Sequence, residues 1–301
     1  MVTGFNTDMR RQEEWGWLLA IWLFMGGASA ALFLFYQIGD LPRGLAITSI
    51  VLLFAGGGVL LVEQGSPLRA WRALFGIGTS WLSRGIASIG VFVVCAVLAV
   101  LLEPGSGAAR AAGWLAALAA LMVVFYPGFF LAGNRAVPFW HTPLLPIVFL
   151  ASALLAASAL TLLGASFSIA IKAPRTLSLV LLAANGVLIC WHFMSMRRAG
   201  AAAEESLRLL MRTPLAVMFW AGVVLGGMLL PFILLAWAPQ LSNLAGGLIL
   251  LGCLLCRYCI VRAGVYVPVP AMQPGLDFSR LMRTSSELER EYAAASIGAR
   301  R

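Results

Sequence analysis

Eight long stretches of this sequence carry almost no charged residues, and they constrain the fold more than any other feature. Each is close to the ~20 apolar residues that an α-helix needs to cross the ~30 Å hydrocarbon layer of a membrane. Only 11% of the 301 residues are charged, against about 25% in a soluble domain. The sequence therefore predicts an all-α, polytopic membrane protein with eight transmembrane helices. The predicted spans are 15–39, 44–62, 85–102, 111–134, 143–168, 176–196, 214–237 and 242–262.

Lysine and arginine are distributed unequally between the two sides of these spans. Of the 21 such residues, only Arg43, Arg110, Lys172 and Arg175 fall on one side, and all the others fall on the side of both termini. Because cytoplasmic loops are enriched in Lys and Arg, we expect a multi-pass protein of a bacterial inner membrane with both termini cytoplasmic. The first apolar run is too long for a signal-peptide core, so we interpret it as a retained helix. The net charge of +9 follows from this bias and does not indicate nucleic-acid binding.

The segment 126–146, YPGFFLAGNRAVPFWHTPLLP, connects the fourth and fifth predicted spans. Its second half contains three prolines, which exclude a continuous helix. It places Arg135, Trp140 and His141 at one membrane interface, with Tyr126 deeper in the membrane. Trp and Arg are common interfacial anchors. A histidine beside them is less common, and it can exchange protons with a redox-active ligand.

Glu63 ends the second span and is the acidic residue of greatest interest. An acid, a histidine and several arginines near aromatic rings can hydrogen-bond quinone carbonyls and move protons. The alternative is an ordinary interfacial charge cluster. Residues 67–75, which follow Glu63, are compatible with an interfacial amphipathic helix that serves as an anchor, in ligand binding or in partner docking. The residues predicted on the same membrane face as Glu63 are Trp15, Arg69, Arg72, Arg135, Trp140 and His141.

Several kinds of site are disfavoured by residue counts alone. The sequence contains only His141 and His192, which are not placed to ligate a haem from facing helices. Three of the five cysteines lie within an apolar span without a fourth metal ligand nearby, so we interpret them as small buried residues. We therefore expect no haem and no metal in this chain. Arg257 lies within the last span, and we expect its side chain to extend to the arginine-rich surface.

Three segments resemble the NrfD/PsrC family, the polysulfide-reductase-type membrane subunits. The first helix resembles that family's Trp-rich opening with paired small residues. The segment after the second helix resembles its acid-x-Gly-x-Pro-x-Arg-x-Trp connection, and the segment 126–146 resembles its Tyr-x-Gly helix and Pro-Phe-Trp turn. The sequence departs from the family where Glu63 replaces the usual Asp. The first two segments read EEWGWLLAIWLFMGGASAALFL and LVEQGSPLRAWRALF.

The resemblance implies two four-helix bundles with a quinone pocket in the first, near Trp15 and Tyr126. The domain boundaries that follow are a tail at 1–14, bundles at 15–142 and 143–267, and a second tail at 268–301. We expect Glu63 and His141 to act in proton transfer. The residues expected to bind the quinone are Trp15, Arg69, Arg72, Tyr126, Arg135 and Trp140.

The implied function is that of a membrane anchor subunit that is not catalytic on its own. It would exchange electrons between a ferredoxin-like iron–sulfur subunit and ubiquinone or menaquinone. Because the expected pocket lies on the arginine-rich side, a cytoplasmic molybdopterin subunit of the sulfite- or formate-dehydrogenase type is expected to be the catalytic partner. Membrane lipid is the other expected partner, and nucleic acid is not expected. The alternative is a secondary transporter or proton-translocating channel, which is expected to show internal repeats and helices broken near mid-membrane.

Overall fold

The computed structural model describes residues 9–39, 41–63, 76, 78, 80–165 and 174–267, with only the backbone of Glu63 and Ala165. The main unit is Arg11–Tyr266. A second unit comprises Met1–Arg10 and Val267–Arg301, of which only residues 9, 10 and 267 are described. The predicted helix at 67–75 and the C-terminal tail lie outside the described residues.

The described residues include eight helices that are long and apolar enough to cross a membrane, which confirms the predicted all-α fold. The first six are α1 (Trp17–Gly39), α2 (Arg43–Glu63), α3 (Trp81–Leu101), α4 (Gly107–Ala132), α5 (Leu144–Ala165) and α6 (Pro174–Met196). The amphipathic helix α7 (Ala201–Arg212) follows. The seventh span is Pro214–Trp237, made of α8 (Pro214–Val217), a π-helical segment (Met218–Leu229) and α9 (Leu230–Trp237). The eighth is a 3₁₀ turn (Pro239–Leu241) and α10 (Ser242–Arg262), and two short strands, β1 (Arg10–Arg11) and β2 (Val265–Tyr266), complete the described elements.

Local sequence explains where two of the helices begin. Gly105 adopts a φ of +79°, a left-handed conformation that favours glycine, and Ser106 then accepts a hydrogen bond from the Ala109 backbone at the start of α4. Thr213 in the same way accepts from the Leu215 backbone N–H, and Pro214 occupies the first turn of the seventh span. These caps set the ends of the spans where the apolar runs begin.

Helices α1 and α5 are the most buried of the described spans. In their most apolar 18-residue stretches, 72% and 67% of the residues are buried. The small-residue stretch from Gly26 to Ala30 of α1 is buried throughout, as expected for a packing seam. Ser29 and Ser49 tie α1 to α2, because each hydroxyl donates to the other residue's backbone carbonyl over 2.8 Å. Such interhelical hydrogen bonds contribute on average about 0.6 kcal/mol each in a membrane protein.

Helix packing divides only partly along the predicted boundary between two four-helix sets. Within the first four spans α1 packs on α2 and α4, and α3 packs on α4, while α5 packs on α6 and α10 among the last four. Helix α5 also packs on both α1 and α4. The division into bundles at residues 142 and 143 remains a prediction.

Arg257 of α10 does not extend to the surface, and that expectation is wrong. Its side chain is 2% exposed. The guanidinium donates from Nε to the Leu23 carbonyl (3.0 Å), from Nη1 to Ser152 Oγ (2.7 Å) and from Nη2 to the Phe149 carbonyl (3.4 Å). Gly27 makes room for it, since a Cβ at that position would lie 3.1 Å from Nη2. Neighbouring helices enclose the side chain, and their acceptors replace the water it would otherwise reach.

Candidate functional site

A cavity of about 350 Å³ lies among α1, α2, α3 and α4. It is found where α1 and α3 begin and where α2 and α4 end, on the same side as Arg135. Its size falls within the range of small-molecule sites. Apolar and aromatic side chains make up most of its wall, with a tyrosine hydroxyl and one carboxylate as the polar groups. The lining residues are Glu14, Trp15, Leu19, Trp22, Leu23, Leu60, Leu82, Tyr126 and Phe130.

A buried hydrogen bond between α1 and α4 orients the tyrosine in this wall. Trp22 donates from Nε1 to the Tyr126 hydroxyl oxygen over 2.8 Å, and the two side chains are 4% and 3% exposed. An indole can only donate, so the tyrosine oxygen is the acceptor in this pair. The tyrosine O–H is therefore available to donate to a further acceptor within the cavity.

Glycines on two neighbouring helices make room for these two rings. The Tyr126 ring packs directly on Gly85 of α3, and a Cβ at that position would overlap ring carbons. The Trp22 ring lies on Gly56 of α2, where a Cβ would approach the indole to 3.3 Å. A Cβ at Gly85 would force the Tyr126 ring to move, whereas a Cβ at Gly56 would first meet Met25 Cβ at 2.8 Å.

Trp15 forms the outer wall of the cavity just before α1 begins. Its ring lies 5.6 Å from that of Phe130 and stacks on that of Trp140 at 5.3 Å between centroids. Trp140 is fully buried, donates from Nε1 to the Ile260 carbonyl over 2.8 Å, and packs on Gly264. Trp140 thus lies behind the cavity wall, among residues that support Trp15, and does not line the cavity itself.

The structure does not bring Arg135 and His141 into the cavity wall. Both are exposed in the connection between α4 and α5. His141 lies with Nδ1 2.6 Å from the Ala132 carbonyl oxygen, so this nitrogen carries the proton that is donated. In neutral His141 the Nε2 atom is consequently a hydrogen-bond acceptor.

Glu63, Arg69 and Arg72 are predicted site residues in or next to the segment that follows α2. The backbone of Glu63 ends α2 one turn beyond Leu60, which lines the cavity. Its side chain, together with Arg69 and Arg72, lies outside the described residues. The exposed carboxylate of Glu14 lines the cavity in the described part of the chain, and sequence reasoning did not select it.

Trp22 is the most informative residue that sequence reasoning missed. It follows Trp15 by seven residues and Leu19 by three, a spacing that places residues along one side of a helix. The pattern of Trp15, Leu19 and Trp22 therefore contained the signal for an aromatic cavity wall. That pattern alone does not reveal Tyr126 as the partner of Trp22, because the pairing joins positions 104 residues apart.

Among the described residues, no group of three or more His, Cys, Asp or Glu side chains is arranged to hold a metal ion. The three cysteines at 253, 256 and 259 are buried in α10, as predicted.

His192 is 1% exposed, and neither ring nitrogen has a hydrogen-bond partner within the described part of the chain. It packs against Phe139 and Phe193 and does not line the cavity beside Tyr126.

Replacement of Gly85 by alanine tests the fit between α3 and the Tyr126 ring. The added methyl overlaps that ring, so we expect the free energy of unfolding to fall by about 1–3 kcal/mol, the usual cost of overpacking. Gly90→Ala is a matched control on the same helix, since nothing lies within 4 Å of a Cβ there. Thermal unfolding of both variants in the same detergent gives the comparison. Equal loss in both variants would contradict the contact.

Comparisons with known proteins identify the family of this chain. The sequence profile of the family described as "Polysulphide reductase, NrfD" matches residues 6–269. This chain belongs to the NrfD family. The match covers all eight spans, as well as the aromatic cavity, the α4–α5 connection and the buried Arg257.

Two relatives are similar over most of their length. One is the C chain of the polysulfide reductase of Wolinella succinogenes, 26% identical over 295 residues, which covers 83% of this chain and 90% of the relative. The other is "Protein NrfD" of Escherichia coli K12, 25% identical over 303 residues, which covers 83% of this chain and 94% of the relative. At this level of identity, the two relatives support the fold and the family of this chain.

Proposed function

We propose that this chain is the quinone-reactive membrane subunit of a respiratory oxidoreductase, and that the quinone headgroup binds in the aromatic cavity. The observation that carries the proposal is the Tyr126 hydroxyl. It is buried in the cavity wall and oriented by Trp22, and its proton remains available for an acceptor. A quinone carbonyl is such an acceptor, and the flat faces of Trp15 and Phe130 suit a planar ring.

The polar residues near the mouth of the cavity are suited to proton exchange with water. Electron transfer to or from a quinone is coupled to proton transfer. Glu14 lines the cavity and is exposed, so its carboxylate is positioned to carry protons between the cavity and water. Glu63 and His141 are candidates for the same task farther along this interface. Trp140 acts as a positioning residue in this proposal because it supports Trp15.

The partners in this proposal come from the family resemblance and from the relatives' names. One relative is named as the C chain of a polysulfide reductase, which indicates an enzyme of several subunits. We infer that a ferredoxin-like iron–sulfur subunit docks over the arginine-rich face and passes electrons to or from the cavity. A molybdopterin subunit would then carry the substrate chemistry, and either ubiquinone or menaquinone would be the membrane carrier.

Tyr126→Phe tests the proposed hydrogen bond to the quinone. The substitution keeps the ring against Gly85 and removes the hydroxyl, so we expect an intact protein whose interaction with quinone is roughly threefold to tenfold weaker. The measurement is quinone-linked electron transfer in the assembled complex, with artificial-acceptor activity as the internal control. Tyr36→Phe, at the opposite end of α1, is the matched variant and should leave quinone kinetics unchanged. Wild-type quinone kinetics in Tyr126→Phe would locate the site elsewhere.

The proposed orientation places the cavity and both termini on the cytoplasmic side. It follows from the unequal distribution of Lys and Arg, because only four of these 21 residues are predicted on the side opposite the termini. Reporter fusions at the two termini measure it, and we expect cytoplasmic signals from both. A periplasmic signal from the C-terminal fusion would move the docking face and its partner subunits to the outside.

A further inference from the structure

A second cavity, of about 540 Å³, lies between the end of α6 and helix α7 and is strongly basic. Arg197, Arg208 and Arg212 line it together with one acid, Glu204. Phe193 and other apolar side chains form the rest of the wall.

The acid in this cavity compensates only one of the three arginines. Arg208 pairs with Glu204 over 2.9 Å and approaches Glu205 to 3.8 Å. Within the described ranges, neither Arg197 nor Arg212 has a carboxylate within 4 Å. Two guanidinium groups therefore remain to bind an anion, and guanidinium has the donor geometry that suits phosphate oxygens.

An apolar groove of about 590 Å³ lies between α6 and the seventh span, and it reaches Met194 of α6, the sequence neighbour of Phe193 in the basic cavity. Its wall contains almost no polar surface, and it includes exposed Cys190, Trp191 and Met194 of α6. Cys190 and Met194 lie one turn apart along one side of α6, which ends at Met196. Arg197 follows Met194 by three residues, in the turn directly after α6. The groove thus leads along α6 toward the cavity with the unpaired arginines.

We propose that this basic cavity and apolar groove together bind an anionic phospholipid. Arg197 and Arg212 would hold the headgroup phosphate, and one acyl chain would lie in the groove beside Trp191. The basic cavity occupies the end of a membrane-spanning helix, and the groove follows that helix into the membrane. A phospholipid presents a charged phosphate and a long apolar chain with the same arrangement. The site is separate from the aromatic cavity and does not depend on the proposed quinone chemistry.

Native mass spectrometry of the full-length protein, purified in a mild detergent, tests the site. The probes are phosphatidylglycerol and phosphatidylcholine with identical acyl chains, and inorganic phosphate added separately. We expect selective retention of phosphatidylglycerol, reduced roughly fivefold by each of Arg197→Gln and Arg212→Gln. Arg198→Gln is the control, because it removes an equal charge from the adjacent position, which does not line the cavity. It should retain the lipid as the wild type does.

Equal retention of the two lipids, or equal loss in Arg198→Gln, would overturn the proposal. Displacement of the lipid by millimolar inorganic phosphate would instead identify a site for free phosphate. A second measurement, tryptophan fluorescence, keeps both arginines in place and so does not depend on the folding of the arginine variants. Brominated phosphatidylglycerol should quench tryptophan fluorescence more strongly in the wild type than in Trp191→Phe, and brominated phosphatidylcholine should show no such difference.

Discussion

Arg257→Lys is expected to lower the free energy of unfolding by about 2–5 kcal/mol, more than removal of the charge altogether. Arginine reaches three acceptors on two helices, namely the carbonyls of Leu23 and Phe149 and the hydroxyl of Ser152. A lysine ammonium is one compact group with a shorter total reach and cannot contact all three. It would therefore remain buried and charged with fewer hydrogen bonds, and each such bond to a charged group is worth about 1.5–3 kcal/mol.

Arg257→Met should be the milder substitution, although it appears less conservative. Methionine loses the same hydrogen bonds, but it also removes the cost of keeping a charge out of water. Arg262→Lys, on the same helix but only partly buried, is the matched control and should be nearly neutral. Unfolding of all three variants in the same detergent ranks them by their loss of unfolding free energy. Wild-type stability in Arg257→Lys would show that the side chain reaches water, as the sequence alone had suggested.

Trp140→Ala is expected to cost about 3–5 kcal/mol, the range for truncation of a large buried aromatic side chain. The alanine leaves a void where the indole lies on Gly264 and Trp15, and it removes the hydrogen bond to Ile260. That bond and that packing connect the α4–α5 turn to the end of α10. Their loss should also loosen Trp15 and weaken quinone binding in the aromatic cavity.

A tryptophan of the same protein that faces away from its interior provides the control for this substitution. Trp114 lies on α4 and is 54% exposed, so Trp114→Ala removes an equal side chain without opening a buried void. We expect it to leave both unfolding and quinone kinetics close to those of the wild type. Equal destabilisation by the two substitutions would mean that the packing around Trp140 contributes little.

The sequence was sufficient to predict the eight spans, because charge is excluded from the membrane wherever a helix faces lipid. It also placed Trp15 and Tyr126 near one another, since the family resemblance covers both helices. It did not show that Trp140 is buried behind Trp15. A tryptophan at an interface can face lipid, water or the protein interior, and only the packing of α10 against the turn decides among them.

Arg257 shows why the sequence was insufficient elsewhere. An arginine near the end of a span can extend to the surface when no neighbouring helix covers it. Here α1 and α5 cover it, and the buried Gly27 leaves space for its guanidinium. Both conditions depend on contacts between positions more than 100 residues apart, which local patterns do not reveal.

Photoaffinity labelling with an azidoquinone tests the central proposal most directly. The assembled complex is labelled in its membrane, the protein is digested, and the modified peptides are identified by mass spectrometry. We expect the label on the peptides that contain Trp15–Leu23 and Tyr126–Phe130, with loss of labelling when excess unmodified quinone competes. Labelling confined to α5–α10, for example beside Phe193 and Arg197, would contradict a quinone site in the aromatic cavity.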